Sequence, residues 1–186
     1  SGYYFEKTVA NLATGENPAS TAAPGDRLRY RLHLFNVNQN IRDISISDPL
    51  GSSDFVLPPV VPVCTVVGTG VVADPLTETK TPDCSFSGGV LQVVSGEPGK
   101  SLVLPQGDDL VVEFELNLQG GLASGAVVSN QASMSANGIT TQTGPYLSDD
   151  PADGVADPTV AGDETPTRVT IVSPGPLLKT NPAAAE

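Results

Sequence analysis

An antiparallel β-sandwich is the fold class that this sequence of 186 residues predicts, and three observations predict it. Val, Thr, Ser and Ile dominate the periodic stretches, and these residues suit a pleated, half-buried surface better than a helix. Gly (19) and Pro (17) punctuate the chain at short intervals, with no run of good helix formers between them. Apolar and polar residues alternate with period two in a series of short runs, each bounded by turn residues. Hydrophobic residues make up 39% of the chain and aromatics 5%, with no Trp. The length suffices for one large core or two small ones.

Taken in order, residues 3–10 read as a strand with Tyr3, Phe5, Lys7 and Val9 on one face. A polar loop follows and closes on the turn-forming Ala23-Pro24-Gly25-Asp26. Residues 27–34 alternate without a fault, placing Leu28, Tyr30, Leu32 and Leu34 inward and Arg27, Arg29, Arg31 and His33 outward. After a turn at 36–40, residues 41–48 form the next strand, closed by Pro49. Residues 51–88 carry prolines at 58, 59, 62, 75 and 82 and both cysteines, and read as an irregular insertion. Strand 89–95 follows, then a turn at Leu104-Pro105-Gln106-Gly107. Residues 110–118 put Leu110, Val112, Phe114, Leu116 and Leu118 on one face. Asn137-Gly138, between 126–136 and 139–143, is a strong hairpin signal. An acidic loop over 148–164 leads to a last strand at 167–172, and no helix of more than two turns is expected. One sandwich domain therefore spans 1–174. Residues 175–186 are a linker or the start of a next repeat, because Pro176-Leu177-Leu178-Lys179-Thr180 echoes Tyr4-Phe5-Glu6-Lys7-Thr8.

Three polar residues occupy inward positions of this pattern. Lys7 shares the face of Phe5 and Val9, Asp48 that of Ile44 and Ile46, and Asn130 that of Val128, Ala132 and Met134. A buried Lys, Asp and Asn on three strands are costly unless they meet. Together they are the ingredients of a self-formed isopeptide bond. The reaction needs a neutral amine, which burial favours, and a protonated carboxyl group to polarise the carboxamide and shuttle a proton to the leaving ammonia. Asp48 is the expected shuttle and Lys7 and Asn130 the expected bond partners. Glu113, the competing acid, has outward parity. Each residue has a plainer role open to it: a snorkelling Lys7, a turn-capping Asp48 and a backbone-bound Asn130.

These residues lie within a longer resemblance. Lys7-Thr8-Val9, the run Ala23-Pro24-Gly25-Asp26-Arg27-Leu28-Arg29-Tyr30, Asn36, and Ile44-Ser45-Ile46-Ser47-Asp48-Pro49-Leu50 resemble the DUF11 repeat of bacterial surface proteins. Leu104-Pro105-Gln106-Gly107 and Val128-Ser129-Asn130-Gln131-Ala132 are similar to its later signature. The resemblance covers roughly residues 3–136 and implies an immunoglobulin-like sandwich repeated in long surface proteins. The order of Lys7, Asp48 and Asn130 is also similar to the CnaA type of isopeptide-forming adhesin domain, which implies the same three roles. The insertion at 51–88 and the acidic extension depart from both patterns.

The net charge of −12 disfavours nucleic acid and anionic membrane surfaces. No apolar run approaches the roughly 20 residues of a membrane span, and no secretion signal opens the chain, so a piece of a longer protein is expected. Cys64 and Cys84 have no zinc-type spacing, and in a secreted-looking chain they are expected to form a disulfide, against the plainer reading of two unpaired small hydrophobes. The acidic loop carries Asp149, Asp150, Asp153 and Asp157 as candidate calcium ligands, against the plainer reading of a solvated acidic linker. Similar Ser-Asp-Asp-Pro stretches in the resembled family support calcium there. No other cofactor is required. The sole histidine, His33, faces outward without a nucleophile partner, and no phosphate, dinucleotide or zinc motif is present, so conventional enzymology is not expected. The function expected is an extracellular stalk module whose partners are neighbouring repeats. The alternative is a ligand-binding adhesin head that recognises a glycan or protein on a host or cell surface.

Overall fold

The alternation of residue types becomes an alternation of burial. The computed structural model describes residues 2–154, 160 and 162–173. In chain order its strands are β1 (Tyr3–Asn11), β2 (Thr21–Ala22), β3 (Arg27–Asn36), β4 (Arg42–Pro49), β5 (Phe55–Val56), β6 (Thr65–Gly68), β7 (Glu78–Thr79) and β8 (Pro82–Ser87). They continue as β9 (Val90–Ser95), β10 (Ser101–Leu102), β11 (Asp109–Leu118), β12 (Val127–Asn130), β13 (Ser133–Asn137), β14 (Tyr146–Leu147) and β15 (Thr167–Ile171). Every odd residue of β1 is buried, and every even residue of β3. The helical content among the described residues is one 3-10 turn, Pro151–Asp153. No helix among them is long and apolar enough to cross a membrane.

The strands form an immunoglobulin-like β-sandwich. One sheet has the order β1-β3-β11, with β5 and β6 pairing successive stretches of the far edge of β11. The facing sheet runs β14-β13-β4-β9-β8, and β12-β15-β2 forms a smaller sheet. Phe5, Val9, Leu32, Val112 and Phe114 from the first sheet join Ile46, Leu91, Val93 and Met134 from the second in one core. Two sheets that pack their inner faces in this way remove both apolar surfaces from water.

Three details differ from the sequence reading. The 51–88 insertion is more regular than its prolines suggest, because β5 and β6 widen one sheet and β8 forms the outer edge of the other. Pro82 is tolerated as the first residue of an edge strand, where little ladder bonding is lost. Asn137-Gly138 makes no hairpin with 139–143. Gly138 has φ +85°, and a Cβ there would collide with the Asn40 carbonyl, so a close backbone approach accounts for the glycine. The partners of β13 are instead β4 and β14.

The single strand expected over 126–136 is broken at Gln131 and Ala132. Its first half, β12, pairs with β15, and its second half, β13, pairs with β4. Ser148 fills the break: its N–H donates to the Ala132 carbonyl at 2.8 Å, and its Oγ accepts from the Ala132 N–H at 2.9 Å. The next residue crosses to the other sheet, where the Asp149 N–H donates to the Phe5 carbonyl at 2.9 Å and the Lys7 N–H donates to the Asp149 carbonyl at 2.7 Å. Residues 146–149 thus strap the two sheets together along one edge. On the opposite side, Cys64 and Cys84 are bridged, with Cα atoms 6.3 Å apart. That link ties the approach to β6, an edge of the first sheet, to β8, the edge of the second.

Candidate functional site

Under the strap, the three out-of-character residues meet. Lys7 is the middle residue of β1, opposite Leu32 of β3. Asp48 is on β4, opposite Leu91 of β9, and Asn130 ends β12 opposite Thr167 of β15, where the chain changes sheets. Lys7 and Asp48 are 0% exposed and Asn130 is 4% exposed. Inward parity on three separate strands brings them to one point in the core. Lys7 Nζ donates to Asp48 Oδ2 at 2.5 Å and also to Asn130 Oδ1. The Asn130 Nδ2 donates to the Pro49 carbonyl at 3.4 Å. The corner at Gln131 fixes where the Asn130 carboxamide points.

The surroundings are apolar. The Tyr30 and Phe114 rings lie 5.0 and 5.4 Å from Lys7 Nζ and are stacked on each other with centroids 5.7 Å apart. The backbone of Lys7 is held on both sides, by the Asp149 carbonyl and by the Thr167 hydroxyl, which donates to the Lys7 carbonyl at 2.7 Å. Burial pushes the Lys7 amine below the ordinary lysine range, against the opposing pull of Asp48. Burial likewise pushes the Asp48 carboxyl group up, against the pull of Lys7. Removing ions from water is the larger effect on each, so both shifts run toward an amine beside a carboxylic acid and away from two ions. An amine shifted toward its neutral form therefore lies against a carboxamide, beside a carboxyl group shifted toward its acid form. An amine, a carboxamide and a carboxyl group thus share one buried pocket.

The other candidate residues are placed as follows. Glu113 is 42% exposed and faces Arg29 and Arg31 at 3.9 Å each on the outer surface, away from Lys7. His33 is also on that surface, with Nε2 2.6 Å from Asp109 Oδ1. In the acidic loop, Asp149 Oδ1 accepts from the Thr165 N–H at 2.7 Å and from its hydroxyl at 3.2 Å. Asp150 caps the 3-10 turn by accepting from the Ala152 N–H at 3.0 Å, and Asp153 accepts from the Thr165 hydroxyl. Burial, and after it the charges of Asp153 and Asp149, raise the Asp150 pKa. Asp157 lies outside the described residues, and so does 175–186. Among the described residues no three His, Cys, Asp or Glu side chains come together as a metal-binding group. The aromatic wall and the grip of Thr167 and Asp149 on Lys7 were not assigned to the site from sequence. Tyr30 and Phe114 read there simply as core, and nothing local in the sequence distinguishes a core ring from a ring against the lysine.

No protein-family model matches the chain, and no curated protein matches it in sequence. Solved structures do. The chain is similar to the major pilin subunit BcpA of Bacillus cereus, with a TM-score of 0.56 and 11% identity over 91% of this chain and 40% of that one. It is also similar to the C-terminal domain of the antigen I/II-family protein AspA of Streptococcus pyogenes, with a TM-score of 0.50 and 13% identity over 90% of this chain and 46% of that one. The chain thus spans less than half the length of either structure. At these identities the likeness is one of fold.

Proposed function

We propose that this chain is a structural stalk module of a bacterial cell-surface or secreted protein, of the DUF11 repeat type, closed by an isopeptide bond between Lys7 and Asn130. One observation carries the reading: Lys7, Asp48 and Asn130 share one buried pocket, with the Lys7 amine in contact with both partners. The fold supports it, since the chain is similar in fold to a major pilin subunit and to the C-terminal domain of a streptococcal antigen I/II-family protein. In the reaction, Lys7 Nζ attacks the Asn130 carboxamide carbon while Asp48 donates a proton to its oxygen. The new C–Nζ bond forms and the C–Nδ2 bond breaks. One Nζ proton passes through Asp48 to Nδ2, and ammonia leaves. Atoms balance as amine plus primary amide giving secondary amide plus ammonia, and no external reagent is consumed. Each chain reacts once, so this is self-processing rather than turnover. The test is the intact mass, which should fall short of the sequence by one ammonia in the wild type and match it in Lys7→Ala and Asn130→Ala.

A second reading, a ligand-binding adhesin head, draws on the 51–88 insertion. Val61, Val71 and Leu76 there are 84%, 86% and 84% exposed, so the insertion holds three large apolar side chains in water. Binding of the isolated module to a panel of glycans and host-surface proteins separates the two, since a stalk module binds none of them. Calcium on the 148–164 loop is a separate proposal, drawn from the carboxylates of Asp149, Asp150, Asp153 and Asp157. Bound calcium raises the melting temperature over that in chelator by mass action. Identical melting curves would leave the loop a plain linker.

A further inference from the structure

Two of the four buried side-chain polar atoms that lack a hydrogen-bond partner among the described residues belong to the two residues that flank the Lys7 amine: Asp48 Oδ1 and the Tyr30 hydroxyl. The other two, Asp108 Oδ2 and Thr141 Oγ1, lie elsewhere. Buried polar atoms without a partner are rare in folded proteins, which satisfy them with each other or with an ordered water. Tyr30 is 0% exposed, and its ring lies 5.0 Å from the Lys7 Nζ that contacts the other oxygen of Asp48 at 2.5 Å. The rings packed on Tyr30, Phe114 and Phe55, offer no polar atom.

We propose that Tyr30 is a positioning residue for bond formation, its hydroxyl holding Asp48 Oδ1 through one ordered water. The proposal rests on the isopeptide reading above. A proton shuttle is an acid in one half of its cycle and a base in the other, so it needs a neighbour that serves both forms. A hydroxyl accepts from the carboxylic acid and donates to the carboxylate. Burial, and next the Asp48 charge, push the Tyr30 pKa up, which keeps that hydroxyl neutral throughout. Among the described residues neither Oδ1 nor the hydroxyl has another hydrogen-bond partner, the Asp54 charge acts on Tyr30 less than that of Asp48, and the carboxyl group is anchored through Oδ2.

Tyr30→Phe removes the hydroxyl and keeps the ring packing. The full chain is synthesised cell-free at a series of pH values and sampled over time, and the ammonia loss is read by intact mass with Lys7→Ala as the unlinked reference. The expected result is bond formation slower by about ten-fold or more in Tyr30→Phe, a fraction of the whole acid–base effect. Its alkaline limb should also move to higher pH, because the carboxylate has lost a donor in a drier pocket. A chain made with 3-fluorotyrosine in place of tyrosine keeps the fold and strengthens the donor, so its alkaline limb should move to lower pH. This second measurement decides the matter if Tyr30→Phe does not fold. Equal rates and unshifted profiles, with ammonia still lost from the wild type, would overturn the role of Tyr30 alone. No ammonia loss in the wild type would overturn the bond itself.

Discussion

Lys7 is wholly buried and has one carboxyl group and one carboxamide within reach. Those neighbours determine what each substitution does. Asp48→Ala should leave the bond largely unformed, because nothing then polarises the carboxamide or carries the proton. Glu113→Ala should form it normally, since Glu113 is paired with surface arginines. Intact masses of the two variants check both. The pH dependence follows from the opposed shifts, Lys7 down and Asp48 up. In the proposed reaction the pair starts with one proton, on Asp48. Lowering the pH adds a second proton, to Lys7, and removes the lone pair. Raising it strips the proton from Asp48 and removes the acid. The rate should therefore show a plateau with a falling limb on each side, and both limbs belong to the pair. A rate that climbs steadily with pH to the ordinary lysine value would mean that the amine is not held neutral.

Strands deliver these groups, and how far each could be read depends on whether its pattern was local. β3 and β11 were legible from end to end, because faultless alternation has one meaning. Lys7, Asp48 and Asn130 were legible as exceptions to the same alternation. The corner at Gln131 and Ala132 was not, since its cause is the hydroxyl of Ser148, distant in sequence but adjacent in space. The misread Asn137-Gly138 has the same explanation: the glycine answers to Asn40 and not to its neighbours. In the insertion, prolines hid β6 and β8, whose pairing depends on the edges of two sheets already formed. The Cys64–Cys84 bridge between those edges should stabilise the fold by roughly 3 kcal/mol on loop-entropy grounds. Reduction should lower the melting temperature accordingly and leave the Lys7–Asn130 link intact. Thiol labelling of the denatured, unreduced chain should find no free cysteine, and full labelling of both would contradict the bridge.

Across the whole module, the disulfide and the proposed Lys7–Asn130 bond site lie at opposite edges of the sandwich. The disulfide ties β8 to the approach to β6, and the Lys7–Asn130 site lies beneath the 146–149 strap that closes the other edge. The positions Lys7 and Asn130 are 123 residues apart, and a bond closing a loop of that size is worth on the order of 5 kcal/mol by the same entropy account. Unlike the disulfide, it survives reductant, so Lys7→Ala and Asn130→Ala should melt well below the wild type in reducing buffer. The most direct measurement is the intact mass of the reduced, denatured wild-type chain, followed by identification of the joined peptides after proteolysis. The account predicts a mass lower than the sequence mass by one ammonia and a branched peptide joining the segments around Lys7 and Asn130. A mass equal to that of the sequence, with those two segments recovered as separate peptides, would contradict it.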